Sequence, residues 1–139
     1  MTNTKNKADQ GGDPFEGAEV IFQYTRKQAI EDGVLVDVSE IAREAGIPCP
    51  MAVTERVWSE VITPSERAEQ EGQSETGRLW DVVYLLRTAL QEVRTHGDTI
   101  HYKVLVRDGK RARGVKLKAV CGAGDHGEFV GTIMMPEED

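Results

Sequence analysis

Only two cysteines occur in the 139 residues, Cys49 and Cys121, far apart and outside any C-x-x-C arrangement. A disulfide framework or structural zinc site therefore has little support, and indifferent free thiols are the plain expectation. Residues 1–17 hold no apolar run that would serve as a signal peptide, and no segment approaches membrane-spanning length, so a cytoplasmic protein with no membrane partner is expected. Histidine is scarce as well. His96, His101 and His126 lack the i, i+4 pairing or short Cys/His clustering that marks a metal site. Ser39, Ser59, Ser65 and Ser74 lack a nucleophile-elbow pattern, and neither cysteine has a recognisable catalytic setting. These absences predict a chain with no catalytic residue, no metal site and no cofactor.

The formal charge of −7 is unevenly spread, and the distribution says more than the total. Residues 1–100 carry 10 Lys/Arg against 18 Asp/Glu, and residues 121–139 carry five acids and no Lys or Arg. Between them, residues 101–120 hold Lys103, Arg107, Lys110, Arg111, Arg113, Lys116 and Lys118 against Asp108 alone. Such a bipolar field steers charged partners, although cations also keep a hairpin soluble and blunt a sheet edge.

Along the chain, residues 1–18 are polar and almost free of large apolar side chains before Phe15, which predicts a disordered tail ahead of one α+β domain over 19–139. Thr25 with Gln28 forms a capping-box pattern, and Gly33 fits the left-handed position after a short helix. Val34-Leu35-Val36 reads as extended. Ser39 is expected to start a helix ending at Gly46, and Pro48 and Pro50 to prevent its continuation. Thr54 is a further cap, before Val57, Trp58, Val61 and Ile62 at helical spacing. Thr63-Pro64 resembles another cap with a first-turn proline, and the Glu/Gln-rich stretch to Glu75 reads as an exposed turn or loop. Leu79, Val82, Val83, Leu86, Ala89, Leu90 and Val93 form the strongest helical stripe, with Trp80 and Tyr84 on its flank and Arg94 and His96 near its end.

After Asp98 the period becomes two. Ile100, Tyr102, Val104 and Val106 alternate with His101, Lys103, Leu105 and Arg107, Asp108-Gly109 marks a hairpin, and Val115, Leu117 and Ala119 resume the alternation. A third strand is expected near residues 129–135. The resulting fold is α+β: short amino-terminal helices and one central amphipathic helix packed on a carboxyl-terminal antiparallel three-stranded meander.

The block 24–39, reading YTR-x-x-A-x-x-DGVLVDVS, together with stretches 42–46, 52–58, 74–82, 122–128 and 132–136, resembles an uncharacterised family of small proteins carried by bacterial plasmids, integrative elements and phages. The resemblance spans roughly residues 20 to 139 and implies a mobile-element accessory protein rather than a defined activity.

Three sets of residues remain as candidate sites. Glu60, Glu66, Glu69, Glu71 and Glu75 make an acidic side suited to a cationic nucleic-acid channel of a host protein complex, plausibly a nucleic-acid-guided (CRISPR) or restriction defence complex; their plain alternative is a solvated face. The basic hairpin 101–120 offers direct nucleic-acid binding, with Tyr102 and His101 interleaved among its cations. Against that stand the overall acidity, the few aromatics and the lack of a helix-turn-helix signature. Gly122-Ala123-Gly124-Asp125-His126-Gly127 satisfies G-x-G-x-x-G but is expected to open a strand, so a glycine-permitted turn outweighs phosphate binding. Asp32 and Asp37 are more economically cap and turn residues than an acid/base pair. Together these features predict a non-enzymatic accessory that binds a host complex, with a small nucleic-acid-binding regulator as the alternative.

Overall fold

The computed structural model describes residues 24–92 and 97–139, so the expected tail at 1–18 and the roles read for Val93, Arg94 and His96 lie outside them. Helix α1 (Arg26–Glu31) follows its local signals: Gln28 N–H donates to Thr25 Oγ1, and Thr25 N–H donates to Gln28 Oε1. Asp32 closes the helix, and Gly33, at φ +79°, makes the left-handed step that a side chain would strain. Strand β1 (Leu35–Asp37) leads to α2 (Ser39–Glu44). Ser39 is not the cap that its position suggests. Its hydroxyl donates to Asp37 Oδ1 at 2.6 Å and accepts from Met51 N–H, tying the turn to the next strand.

That strand, β2 (Met51–Thr54), ends at the predicted cap, where Thr54 Oγ1 accepts from Val57 N–H. The helix it starts is one α turn, α3 (Glu55–Val57), widening into a π-helical turn over Trp58–Ile62 that buries Val61 and Ile62 and half-buries Trp58. Ser65, rather than Thr63, caps α4 (Glu66–Gln70) by accepting from Ala68 N–H. The long helix α5 (Glu75–Glu92) then crosses the sheet, followed by β3 (Thr99–Asp108), β4 (Arg111–Ala123) and β5 (Phe129–Met134).

The expected three-stranded meander is corrected by the strand order. One five-stranded mixed sheet runs β1-β2-β5-β4-β3, in which β2 pairs with β5 in parallel and every other neighbouring pair is antiparallel. The meander is only one side of that sheet, and the amino-terminal half supplies the other two strands. Two physical reasons hid them. With three and four residues, β1 and β2 are too short for a period-two signature, and Met51, Ala52 and Val53 are all buried because this strand is covered on both faces.

Register divides the sheet into two faces. Val53, Ile133, Ala119, Leu117, Val115 and Val104 point to the core side, where they meet Val82, Val83 and Leu86 of α5 and Ala42 of α2. Tyr102 belongs to this side: its hydroxyl donates to the Val82 carbonyl at 3.0 Å, and burial pushes its pKa well up. It is therefore a core residue and not the interleaved aromatic that its place among cations suggested. The stripe of α5 is narrower than its periodicity, since Leu90 is 37% exposed while Trp80 and Tyr84 stack on the outside.

The opposite face is covered in part. α1 lies against it at β5, where Arg26 Nη1 donates to Thr132 Oγ1 and Nη2 to the Gly131 carbonyl, both at 2.8 Å. Toward β3 no described element covers the same face, and His101, Lys103, Leu105 and Lys116 are exposed on it.

Candidate binding faces and the anchored motif

Cross-strand partners share a face, so the register sorts the seven hairpin cations. Lys103 stands directly opposite Lys116, His101 opposite Lys118 and Arg107 opposite Ala112, all on the outer face with Leu105, which is 65% exposed. Arg113 pairs with Val106, a core residue, and Arg111 with Asp108, so these two lie on the helix side, and Lys110 sits in the turn. Arg113 is already engaged, its Nη2 donating to the Glu60 carbonyl at 3.0 Å. Lys103, Arg107, Lys116 and Lys118 take part in no ion pair among the described residues. The hairpin is thus two sets of cations, four on an open sheet face and the rest on its rim.

The five acidic candidates are spread over three elements. Glu60, in the π-helical turn, pairs with Arg56 Nε at 2.9 Å, and Glu71 approaches Arg67 Nε at 3.9 Å. Glu75 accepts from the Thr63 hydroxyl at 3.3 Å. Glu66 and Glu69 are exposed on α4 with no ion-pair partner among the described residues. α4 packs beside the hairpin turn, with Glu71 and Arg67 both reaching Gly109. The acidic and basic sets therefore touch at one corner, rather than occupying opposite poles.

The polar side chains that the sequence singled out in the block 24–39 are engaged within the fold, whereas Val34 is exposed. Tyr24 donates to Asp32 Oδ2 at 2.7 Å, and Asp37 accepts from both the backbone and hydroxyl of Ser39. Neither aspartate stands as a free acid/base pair. The Gly122–Gly127 loop joins β4 to β5, as its turn reading expects, and docks on α1: Asp125 Oδ1 accepts from Arg26 N–H at 2.9 Å and Oδ2 from Lys27 N–H at 3.0 Å. Those two hydrogen bonds hold the Asp125 carboxyl below the usual aspartate range. The Glu128 carboxyl is lowered also, first by its own backbone N–H and then by the His126 N–H that donates to its Oε1. Arg26, Lys27, Asp37, Ser39, Asp125 and Glu128 surround a shallow cleft of about 270 Å³, in which Asp125 accepts from the backbone of α1, Asp37 from Ser39 and Glu128 from the His126 backbone.

One residue escaped the sequence reading. Arg78 is only 7% exposed, yet no carboxylate among the described residues pairs with it. Its Nη2 donates to the Arg107 carbonyl at 2.7 Å and Nη1 to the Val61 carbonyl at 3.3 Å, so the guanidinium ties the π-helical turn to β3. Its Nε finds no acceptor. The signal was an arginine one residue before the apolar stripe, which local pattern assigns to solvent.

Among the described residues, no group of three His, Cys, Asp or Glu is placed to hold a metal, and no helix is long and apolar enough to cross a membrane. No curated protein and no solved structure matches the chain. A family model does match, over residues 12–139, so the whole described sheet and all of the faces above fall within it; the chain belongs to the family of unknown function DUF6573.

Proposed function

We propose that the chain is a non-enzymatic binding module whose working surface is the outer face of β3 and β4, and whose ligand is a nucleic-acid phosphate backbone. The observation that carries this reading is Lys103 directly opposite Lys116 on a face that no described element covers, flanked by Arg107 and Lys118 without ion-pair partners among the described residues. Like charges in that position cost stability in the free protein, and a polyanion laid across them removes the cost. With Tyr102 turned into the core, the face has no aromatic for base stacking among the described residues, so the contact is to phosphate and independent of sequence. We place such a module on a mobile genetic element, as the resemblance of its motif implies.

Anisotropy titrations with a labelled duplex at several salt concentrations test this. Four cations at about 0.9 each give a slope of log affinity against log salt near about −3.6, and Lys103→Ala with Lys116→Ala reduces its magnitude by about 1.8. Arg111→Ala with Arg113→Ala changes it far less. No binding at about 50 mM salt, or equal losses from the two pairs, would remove the proposal.

A second reading rests on Glu66 and Glu69, the two acids of α4 that pair with no cation among the described residues. Here α4 docks into a cationic channel of a host protein complex, in the manner of a counter-defence inhibitor directed at CRISPR or restriction machinery. A stoichiometric partner retained from nuclease-treated lysate, and released by Glu66→Gln with Glu69→Gln, supports it. Retention that the substitutions leave intact counts against it.

A further inference from the structure

Three sulfur atoms converge beside the parallel β2–β5 junction. Met51, Gly131 and Cys121 form one cross-strand row over β2, β5 and β4, since Met51 pairs with Gly131 and Gly131 with Cys121. Residues in such a row point to the same side, here the core side. The central position has no side chain, and Met51 fills the space: its Sδ stands 2.6 Å, and Cys121 Sγ 3.9 Å, from where a Cβ on Gly131 would be. Cys49, from the turn preceding β2, donates its thiol to Met51 Sδ at 3.8 Å. Both cysteines are half-buried and free.

We infer that Cys49, Met51 and Cys121 form a site for a monovalent copper ion. Two metal–sulfur bonds of about 2.3 Å, opened to a trigonal angle, hold their sulfurs about 4 Å apart, which is the separation already present between Cys49 and Met51. Thiolate and thioether together select a soft cation, and the shortage of a fourth ligand among the described residues disfavours tetrahedral zinc. The two thiols each release a proton on binding, which leaves a thiolate pair of charge −2 around a +1 ion. Across the sheet from this row, on its other face, the Arg26 guanidinium is held on the Gly131 carbonyl. Entry is through a surface groove of about 360 Å³ that Cys49 lines with Ile47, Pro48, Leu90 and Phe129. The site is independent of the basic face on β3 and β4.

The test is an anaerobic titration of the reduced full chain with Cu(I) against a chromophoric Cu(I) chelator, with circular dichroism to confirm that each variant is folded. One equivalent of copper is expected to move to the protein, and Zn²⁺ is not expected to displace it. Cys49→Ser and Cys121→Ser should each weaken copper binding by at least about 100-fold, and Met51→Leu by about 10-fold. Gly131→Ala, whose methyl has only to displace the flexible end of Met51, should match Met51→Leu. Failure to compete for copper would overturn the inference. So would unchanged affinity in both Met51→Leu and Gly131→Ala, because the two half-buried thiols would then explain the binding without the thioether. A Cys49–Cys121 disulfide formed on oxidation, with no copper uptake by the reduced protein, would overturn it too.

Discussion

The two ends of the sheet's outer face treat charge in opposite ways. At β5, Arg26 donates to Thr132 and Gly131 while Asp125 accepts from the first turn of the helix that carries Arg26, so both of these charged groups are engaged within the fold. At β3 and β4, Lys103, Arg107, Lys116 and Lys118 face outward with no ion pair among the described residues. The difference teaches that the most distinctive stretch of sequence, 24–39, is architecture, whereas the less distinctive basic hairpin keeps its charges available.

The comparison breaks most completely where the two ends are joined. Ile133 is fully buried in β5, between parallel β2 and antiparallel β4, and Ile133→Ala is expected to cost about 2–5 kcal/mol, read as a lower urea midpoint, with the anchored and open ends unfolding together. Loss of the hairpin's signal alone at that midpoint would mean that the two ends are separate folding units. A smaller effect is expected from Arg78→Ala, which strands the buried carbonyls of Val61 and Arg107 at about 1–3 kcal/mol. Hydrogen exchange should then rise first near Arg107, where the guanidinium holds β3.

Lys103→Ala with Lys116→Ala should leave stability within about 0.5 kcal/mol, on the side of a gain, because the like-charge pair disappears from an exposed position. Added salt should raise the stability of the parent chain more than that of this variant. A clear loss of stability in the variant would place the lysines among the structural residues and erase the contrast between the two ends. The last effect is confined to acid. Asp125 has a folded pKa below its ordinary value near 3.8, so its contribution is present above that value and fades as pH falls through the lower, folded one. Asp125→Asn should flatten the dependence of the urea midpoint on pH in that range and leave neutral pH behaviour nearly unchanged. A steep acid limb that survives in the variant would assign it to other carboxylates, Glu128 among them.

Much of the local structure was legible because it is decided within a few residues. The Thr25 capping box, the left-handed Gly33, the Thr54 cap and the turn after Asp108 all depend on neighbours in sequence, and all are present. The core of the α5 stripe was legible for the same reason, through Val82, Val83 and Leu86. β2 was not. Its partner β5 lies some eighty residues away, and a strand buried on both faces shows no alternation. The cations of the hairpin could be counted in advance, but their division between an open face and an engaged rim needed the pairing of Val106 with Arg113. Gly131 carried a readable hint, since a glycine inside a strand marks a close approach, here that of Met51.

Local sequence alone was enough for the Thr25 and Thr54 caps, the turns at Gly33 and after Asp108, the long helix, the hairpin, and the concentration of positive charge in residues 101–120. These follow from backbone preferences and spacing, which act over one or two turns of chain. Only the tertiary structure decided that β1 and β2 extend the meander into a mixed sheet, that Asp125 belongs to α1, that Arg78 is buried, and which cations remain outward. Each of those outcomes depends on contacts between residues distant in sequence, and burial or register sets them only when the faces close on one another.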